Sequence, residues 1–141
     1  MADGNEDKVA FELVSPERLL ASEQCDMVVV PGEEGDFGVL PLHAPFMSVV
    51  RPGVIEIYQG NSVDRQIFVA GGFAEVNEEG CIVLAEEAVP VDEMDRAAIE
   101  KRLDTAQRDL ADLGDGGPEK ERVVERIKVA EAMLEVLDRA A

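Results

Sequence analysis

Tryptophan is missing from this sequence, tyrosine and histidine occur once each, cysteine occurs twice, and 13 basic residues face 31 acidic ones. Each shortage removes a class of function. The lone histidine, His43, sits between Leu42 and Ala44 in a proline-rich turn, and it supplies neither the base of a nucleophilic triad nor the ligand set of a zinc site. Cys25 and Cys81 lie far apart with no Cys-x-x-Cys spacing, so both are expected to be buried, reduced thiols on strands. A formal charge of −18 repels a phosphate backbone and disfavours adsorption on anionic lipid, which argues against nucleic acid as a partner. No apolar run approaches the ~20 residues that span a bilayer. The acidic stretch from Met1 to Lys8 is the opposite of a signal peptide's basic start, so the chain is expected to stay where it is made. Membrane association would then go through another protein.

What is present is enough apolar material for a compact fold. Of 141 residues 46% are apolar, so the core must come from Val, Leu, Ile, Ala and five Phe. The length suits one ordinary domain, or a domain of roughly 90 residues with an appendage. Up to about Val89 the chain shows short β-rich runs. Val9, Phe11 and Leu13 alternate with Ala10, Glu12 and Val14 as in a strand with one face on a core. Runs over Cys25 to Val30, Phe37 to Leu40, Phe46 to Val50, Val54 to Tyr58, Gln66 to Ala70, Phe73 to Val76 and Cys81 to Ala85 follow. Turn chemistry separates them: Pro31-Gly32, Gly35-Asp36, Pro52-Gly53, Gly60-Asn61, Gly71-Gly72 and Asn77 to Gly80. With no intervening helix, residues 1–90 are expected to form an antiparallel β-sandwich or flattened barrel of about ten short strands.

After Pro90 the period changes, so the fold class is β first and α afterwards. Ile99, Leu103, Ala106, Leu110 and Leu113 make one helical stripe, and Val123, Ile127, Ala130, Leu134 and Leu137 make another. Gly114 to Pro118 joins them, with glycine suited to a left-handed stop and Pro118 to a first turn. Residues 91–141 are therefore expected to form an antiparallel helical hairpin, N-capped by Asp92. Its Ala-rich stripes bury little, so it should be able to leave the sandwich. Residues 1–90 carry 4 basic and 17 acidic groups, residues 91–141 carry 9 and 14, so most cations sit on the hairpin. They form either a solvated helix surface or a docking site for an acidic partner.

Chemistry is hard to find. Carboxylates are too numerous for spacing to single out a general acid/base pair. The glycine-rich Gly32 to Gly38 carries three acids and no Lys-Ser or Lys-Thr, unlike a phosphate cradle. No catalytic residue and no metal site is expected.

Phe11-Glu12-Leu13-Val14-Ser15-Pro16-Glu17-Arg18 and the long string from Pro31-Gly32-Glu33-Glu34-Gly35-Asp36-Phe37-Gly38 through Val39-Leu40-Pro41-Leu42-His43-Ala44-Pro45 resemble the N-terminal signature of ATP synthase epsilon subunits. Arg51-Pro52-Gly53-Val54-Ile55, Ala70-Gly71-Gly72-Phe73-Ala74-Glu75-Val76 and Val83-Leu84-Ala85-Glu86 look like that family's later strands. The resemblance implies a non-catalytic rotor subunit of the central stalk that binds gamma and the c ring and links proton flow to ATP synthesis. It implies a place at the cytoplasmic face of the bacterial plasma membrane, held there through the complex. In the family an acidic turn approaches the c ring, which maps onto Glu34 and Asp36, and a His-Ala-Pro segment lies near gamma, which maps onto His43. The family's hairpin can extend toward alpha and beta and inhibit hydrolysis, a role that would fall to Lys101, Arg102, Arg108, Arg122, Arg126 and Lys128.

No cofactor is implied, although some members bind ATP through an aliphatic-Asp-x-x-Arg-Ala motif. Aligned on Arg96-Ala97, this chain has Asp92 and Glu93 where that motif has the aliphatic residue and the Asp, so Glu93 and Arg96 are the matching positions. Leu42 stands where the family commonly has Gly. The rival reading is an acidic β-sandwich adaptor of another assembly, and a small carboxylate hydrolase is a remoter one.

Overall fold

The computed structural model describes residues 7–114 and 117–140 and divides the chain into two compact units, Met1–Asp92 and Glu93–Ala141. The first holds ten strands: β1 (Val9–Val14), β2 (Leu19–Cys25), β3 (Met27–Gly32), β4 (Gly35–Val39), β5 (Phe46–Val50), β6 (Gly53–Gln59), β7 (Ser62–Val69), β8 (Gly72–Val76), β9 (Gly80–Ala85) and β10 (Ala88–Pro90). They form one sheet in the order β10-β7-β6-β3-β5-β8-β9-β1-β2, with β4 paired to β3 off that path.

The sheet folds on itself because one residue in two is apolar and must leave water. Val9, Phe11 and Leu13 of β1, Val28 and Val30 of β3, Ile55 and Ile57 of β6, and Val83 and Ala85 of β9 are buried in one core. Each fully buried side chain of this size contributes about 1.5–3 kcal/mol. The barrel nearly closes where β2 approaches β6 and β7. Here side chains replace a ladder: Gln59 Nε2 donates to Gln24 O (2.9 Å), and Arg65 donates to Glu23 Oε2 (2.8 Å) and to Leu20 O (3.3 Å). Occupying the backbone acceptors of an edge strand in this way blunts it against pairing with another chain.

Three features depart from the sequence expectation. A strand covers Leu19–Cys25, whose residues show no clean apolar alternation, and its register against β1 shifts between Leu13 and Val14: Ala21 faces Leu13, whereas Leu19 faces Val14. One ladder, β1 with β9, is parallel within an otherwise antiparallel sheet, because β1 inserts between β9 and β2 instead of forming a hairpin with β9. The close approach of β8 to β9 also demands a bare backbone at Gly72, where φ is +149° and a Cβ would stand 2.1 Å from Leu84 O.

A 3-10 turn, Val91–Glu93, straddles the unit boundary in the chain; in the second unit α1 (Arg96–Asp112) follows it and α2 spans Pro118–Ala140. Asp92 therefore is not the cap. Asp95 is, in extended conformation, its carboxylate accepting from Ala97 N at 3.1 Å. The 3-10 turn occupies Asp92 and delays the helix by three residues. Gly114, at φ +63°, takes the left-handed position after α1, whereas the expected loop residues Asp115 and Gly116 lie outside the described residues. Ile99 and Ala106 of α1 are buried, as are Val123, Val129, Ala130 and Met133 of α2. Ion pairs Arg96–Asp138 (2.7 Å) and Arg126–Asp109 (3.1 Å) join the two helices. Among the described residues no helix is long and apolar enough to cross a membrane.

Candidate docking surface

The outward face of β5, β8, β9, β1 and β2 carries a row of apolar side chains that the ladder registers bring into line. Val49 pairs with Phe73, Phe73 with Leu84, Leu84 with Val14, and Val14 with Leu19. Val49, Phe73, Leu84 and Leu19 are 47%, 38%, 55% and 57% exposed, and Val14 is half-buried. The next row alternates apolar and acidic: Met47 pairs with Glu75, Glu75 with Ile82, and Ile82 with Glu12. Beside it Glu12, Glu23, Glu75 and Glu79 edge a cleft of about 450 Å³. A continuous apolar row over five strands, bordered by carboxylates, has the composition of a protein–protein contact surface. Sequence reasoning missed it. The signal was present in Cys81-Ile82-Val83-Leu84-Ala85 and Phe46-Met47-Ser48-Val49-Val50, runs too apolar for strands with one wet face.

The residues expected from sequence occupy other places. Glu34 is exposed in the β3–β4 turn, and Asp36 is the second residue of β4, also exposed. Arg51 bridges that hairpin, donating to Gly32 O and to Asp36 Oδ1, each at 2.5 Å. Arg51 thereby ties the two strands of this hairpin together, with Glu34 in the turn between them. His43 is half-buried in the loop between β4 and β5, its Nδ1–H donating to Ala44 O at 2.5 Å. An edge-to-face contact of Phe37 with Phe46, centroids 5.0 Å apart, closes the base of this loop. Leu42 in the same loop adopts φ +62°, a conformation that costs a residue with a side chain about 1 kcal/mol.

On the hairpin, Lys101, Arg102 and Arg126 line a groove of about 320 Å³ with Ala98 and Thr105, where Arg126 is paired with Asp109. Neither Glu93 nor Arg96 is among its walls. Glu93 is exposed on the 3-10 turn, and Arg96 is engaged by Asp138. Arg108 pairs with Asp104 one turn earlier at 2.9 Å, whereas Arg122 and Lys128 are exposed on α2. Among the described residues no group of His, Cys, Asp or Glu is arranged to hold a metal ion.

Taken together, a near-closed β-barrel with an uncovered apolar row and a cation-bearing helical hairpin defines a docking subunit of a larger assembly. Residues 8–91 match the family described as ATP synthase, Delta/Epsilon chain, beta-sandwich domain. The chain is 54% identical over 127 residues to the ATP synthase epsilon chain of Paramagnetospirillum magneticum, covering 90% of this chain and 95% of that one. It is 52% identical over 124 residues to the epsilon chain of Rhodospirillum rubrum, covering 88% and 92%. Among solved structures, a chain of the Euglena gracilis mitochondrial ATP synthase, OSCP/F1/c-ring in rotational state 1, superposes with a TM-score of 0.74 at 25% identity, covering 96% of this chain and 85% of that one. The protein belongs to the ATP synthase epsilon chain family, and with it to the subunits of the ATP synthase complex.

Proposed function

We propose that this rotor-stalk subunit works mechanically: its β unit docks on the shaft subunit gamma through the apolar row, and its β3–β4 turn meets the c ring through Glu34 and Asp36. The row carries the reading. Burying four half-exposed side chains and the rest of Val14 contributes about 1 kcal/mol each, enough to offset much of the freedom lost on association. The bordering acids favour a partner that sets Lys or Arg beside its own apolar strip. The clamp of Arg51 on the acidic turn supports a part that must transmit torque without yielding. His43, in the adjoining loop, lies at the margin of the gamma contact. The complex places the protein at the cytoplasmic face of the plasma membrane without inserting it.

The hairpin is the regulatory part. Its exposed cations, with the groove of Lys101, Arg102 and Arg126, suit acidic segments of alpha and beta, and its modest buried stripe leaves its docking place adjustable by a few kcal/mol. Reconstitution of the enzyme with the full chain and with a chain ending at residue 90 tests both parts. The expected outcome is equal retention on gamma with faster ATP hydrolysis for the short chain. Failure of the full chain to associate with gamma sinks the docking assignment, and unchanged hydrolysis sinks the regulatory one.

A further inference from the structure

The loop between β4 and β5 contains a residue that the isolated chain does not account for. Leu42 holds φ +62°, the only positive-φ residue other than glycine among the described residues. A left-handed backbone with a branched hydrocarbon side chain is strained, and such strain persists only where something compensates it. Asn or Asp would gain a local hydrogen bond there, and a buried Leu would gain packing. Leu42 gains neither, since its side chain is 62% exposed.

The surroundings show a stiff mount. Pro41 precedes it and Pro45 follows, each with φ fixed by its ring. His43 Nδ1–H donates to Ala44 O, and the Phe37–Phe46 ring contact closes the base. Docking a preorganised loop sacrifices little conformational freedom. Leu40, at 55% exposure, adds a second apolar side chain, and β5, into which the loop runs, carries Met47 and Val49 of the docking face at 60% and 47%. Exposed apolar side chains thus lie both on the sheet rows and in the strained loop that leads into β5.

We infer that Leu42 is a specificity-determining anchor, a side chain held out by a strained backbone to enter an apolar recess of the same gamma subunit that covers the row. This rests on the docking reading above and adds the residue that selects the partner. The strain is then compensated in the complex, where the isobutyl group becomes buried.

The full chain and its Leu42→Ala and Leu42→Gly variants are titrated into an alpha-beta-gamma subcomplex lacking this subunit, with Leu84→Asp as the test of the sheet row and urea unfolding in parallel. Alanine keeps the Cβ and its backbone constraint but removes the anchor, and glycine removes both. Each is expected to weaken binding by about tenfold, while the unfolding midpoint of the glycine variant stays level or rises. Binding lost on Leu84→Asp but kept in both Leu42 variants overturns the anchor and leaves the row assignment standing. Loss with glycine alone also overturns it, since the backbone rather than the side chain then matters. Binding unaffected by any of the three overturns both.

Discussion

Leu84 is the centre of the outward row, flanked by Phe73 on β8 and Val14 on β1, so Leu84→Asp probes the docking face most directly. Fully burying a leucine gives about 1.5–3 kcal/mol, and with 55% of this residue still exposed about 1 kcal/mol remains to be gained on docking. The variant loses that gain and also sets a carboxylate against an apolar strip, a desolvation penalty of about 2 kcal/mol more. The sum, about 3 kcal/mol, corresponds to a roughly hundredfold weaker complex. Leu84→Ala, which adds no charge, should weaken it only about fivefold. The folded chain should barely notice either change, because a solvent-facing strand position alters stability by about 0.5–1 kcal/mol. Calorimetric titration into the subcomplex at fixed salt gives the first quantity, and the urea midpoint gives the second. A dissociation constant within twofold of the parent refutes the reasoning. So does a weakened complex accompanied by an equal loss of folding stability, since the barrel rather than its surface would then have failed.

Gly72→Ala should destabilise the β unit by more than about 4 kcal/mol, because the added carbon meets Leu84 O at 2.1 Å on a backbone at φ +149°; a near-parental urea midpoint contradicts the close approach. Asp26 is held below the usual carboxylate range by the hydrogen bond from Lys8 (2.7 Å) and by the donor N–H of Gly60 (2.5 Å). Its depressed value means its stabilisation is complete above about pH 4 and fades as pH falls through the folded-state value. Asp26→Asn should therefore flatten the acid limb of stability against pH, and an unchanged limb excludes the linkage. Burial pushes Cys25 up to about 11, helped by the nearby charges of Glu23 and Asp26, and Cys81 up to about 12. Both thiols should resist an aromatic disulfide reagent at pH 8 and react only in denaturant, whereas fast labelling of the native protein contradicts their burial.

Local pattern was enough to place most of the elements. Val9, Phe11 and Leu13 declare a strand with one dry face, and the stripe from Ile99 to Leu113 declares a helix, because each depends only on a periodicity carried by neighbouring residues. The long string from Pro31 to Pro45 carried the family. What escaped was set by non-local pairing. Leu19 and Leu20 give no alternation to read, and only a register shift against β1 sets Leu19 opposite Val14; nor does β1 give any hint that it will run parallel to β9. Asp92 was the cap expected from sequence, and the 3-10 turn that follows β10 moves the cap to Asp95.

By itself, then, the amino-acid order determined the two-part build, the absence of any set of catalytic groups that spacing could single out, and the acidic character that narrows the partners, because composition and short-range periodicity do not depend on how the chain closes. The tertiary structure alone decided the apolar row to which the proposed docking is assigned. Val14, Leu19, Val49, Phe73 and Leu84 are scattered along the chain as ordinary strand residues, and they become one surface only because hydrogen-bond registers between five strands align them. Register is a property of pairs of strands, fixed by the packing of the opposite face, and no single segment contains it.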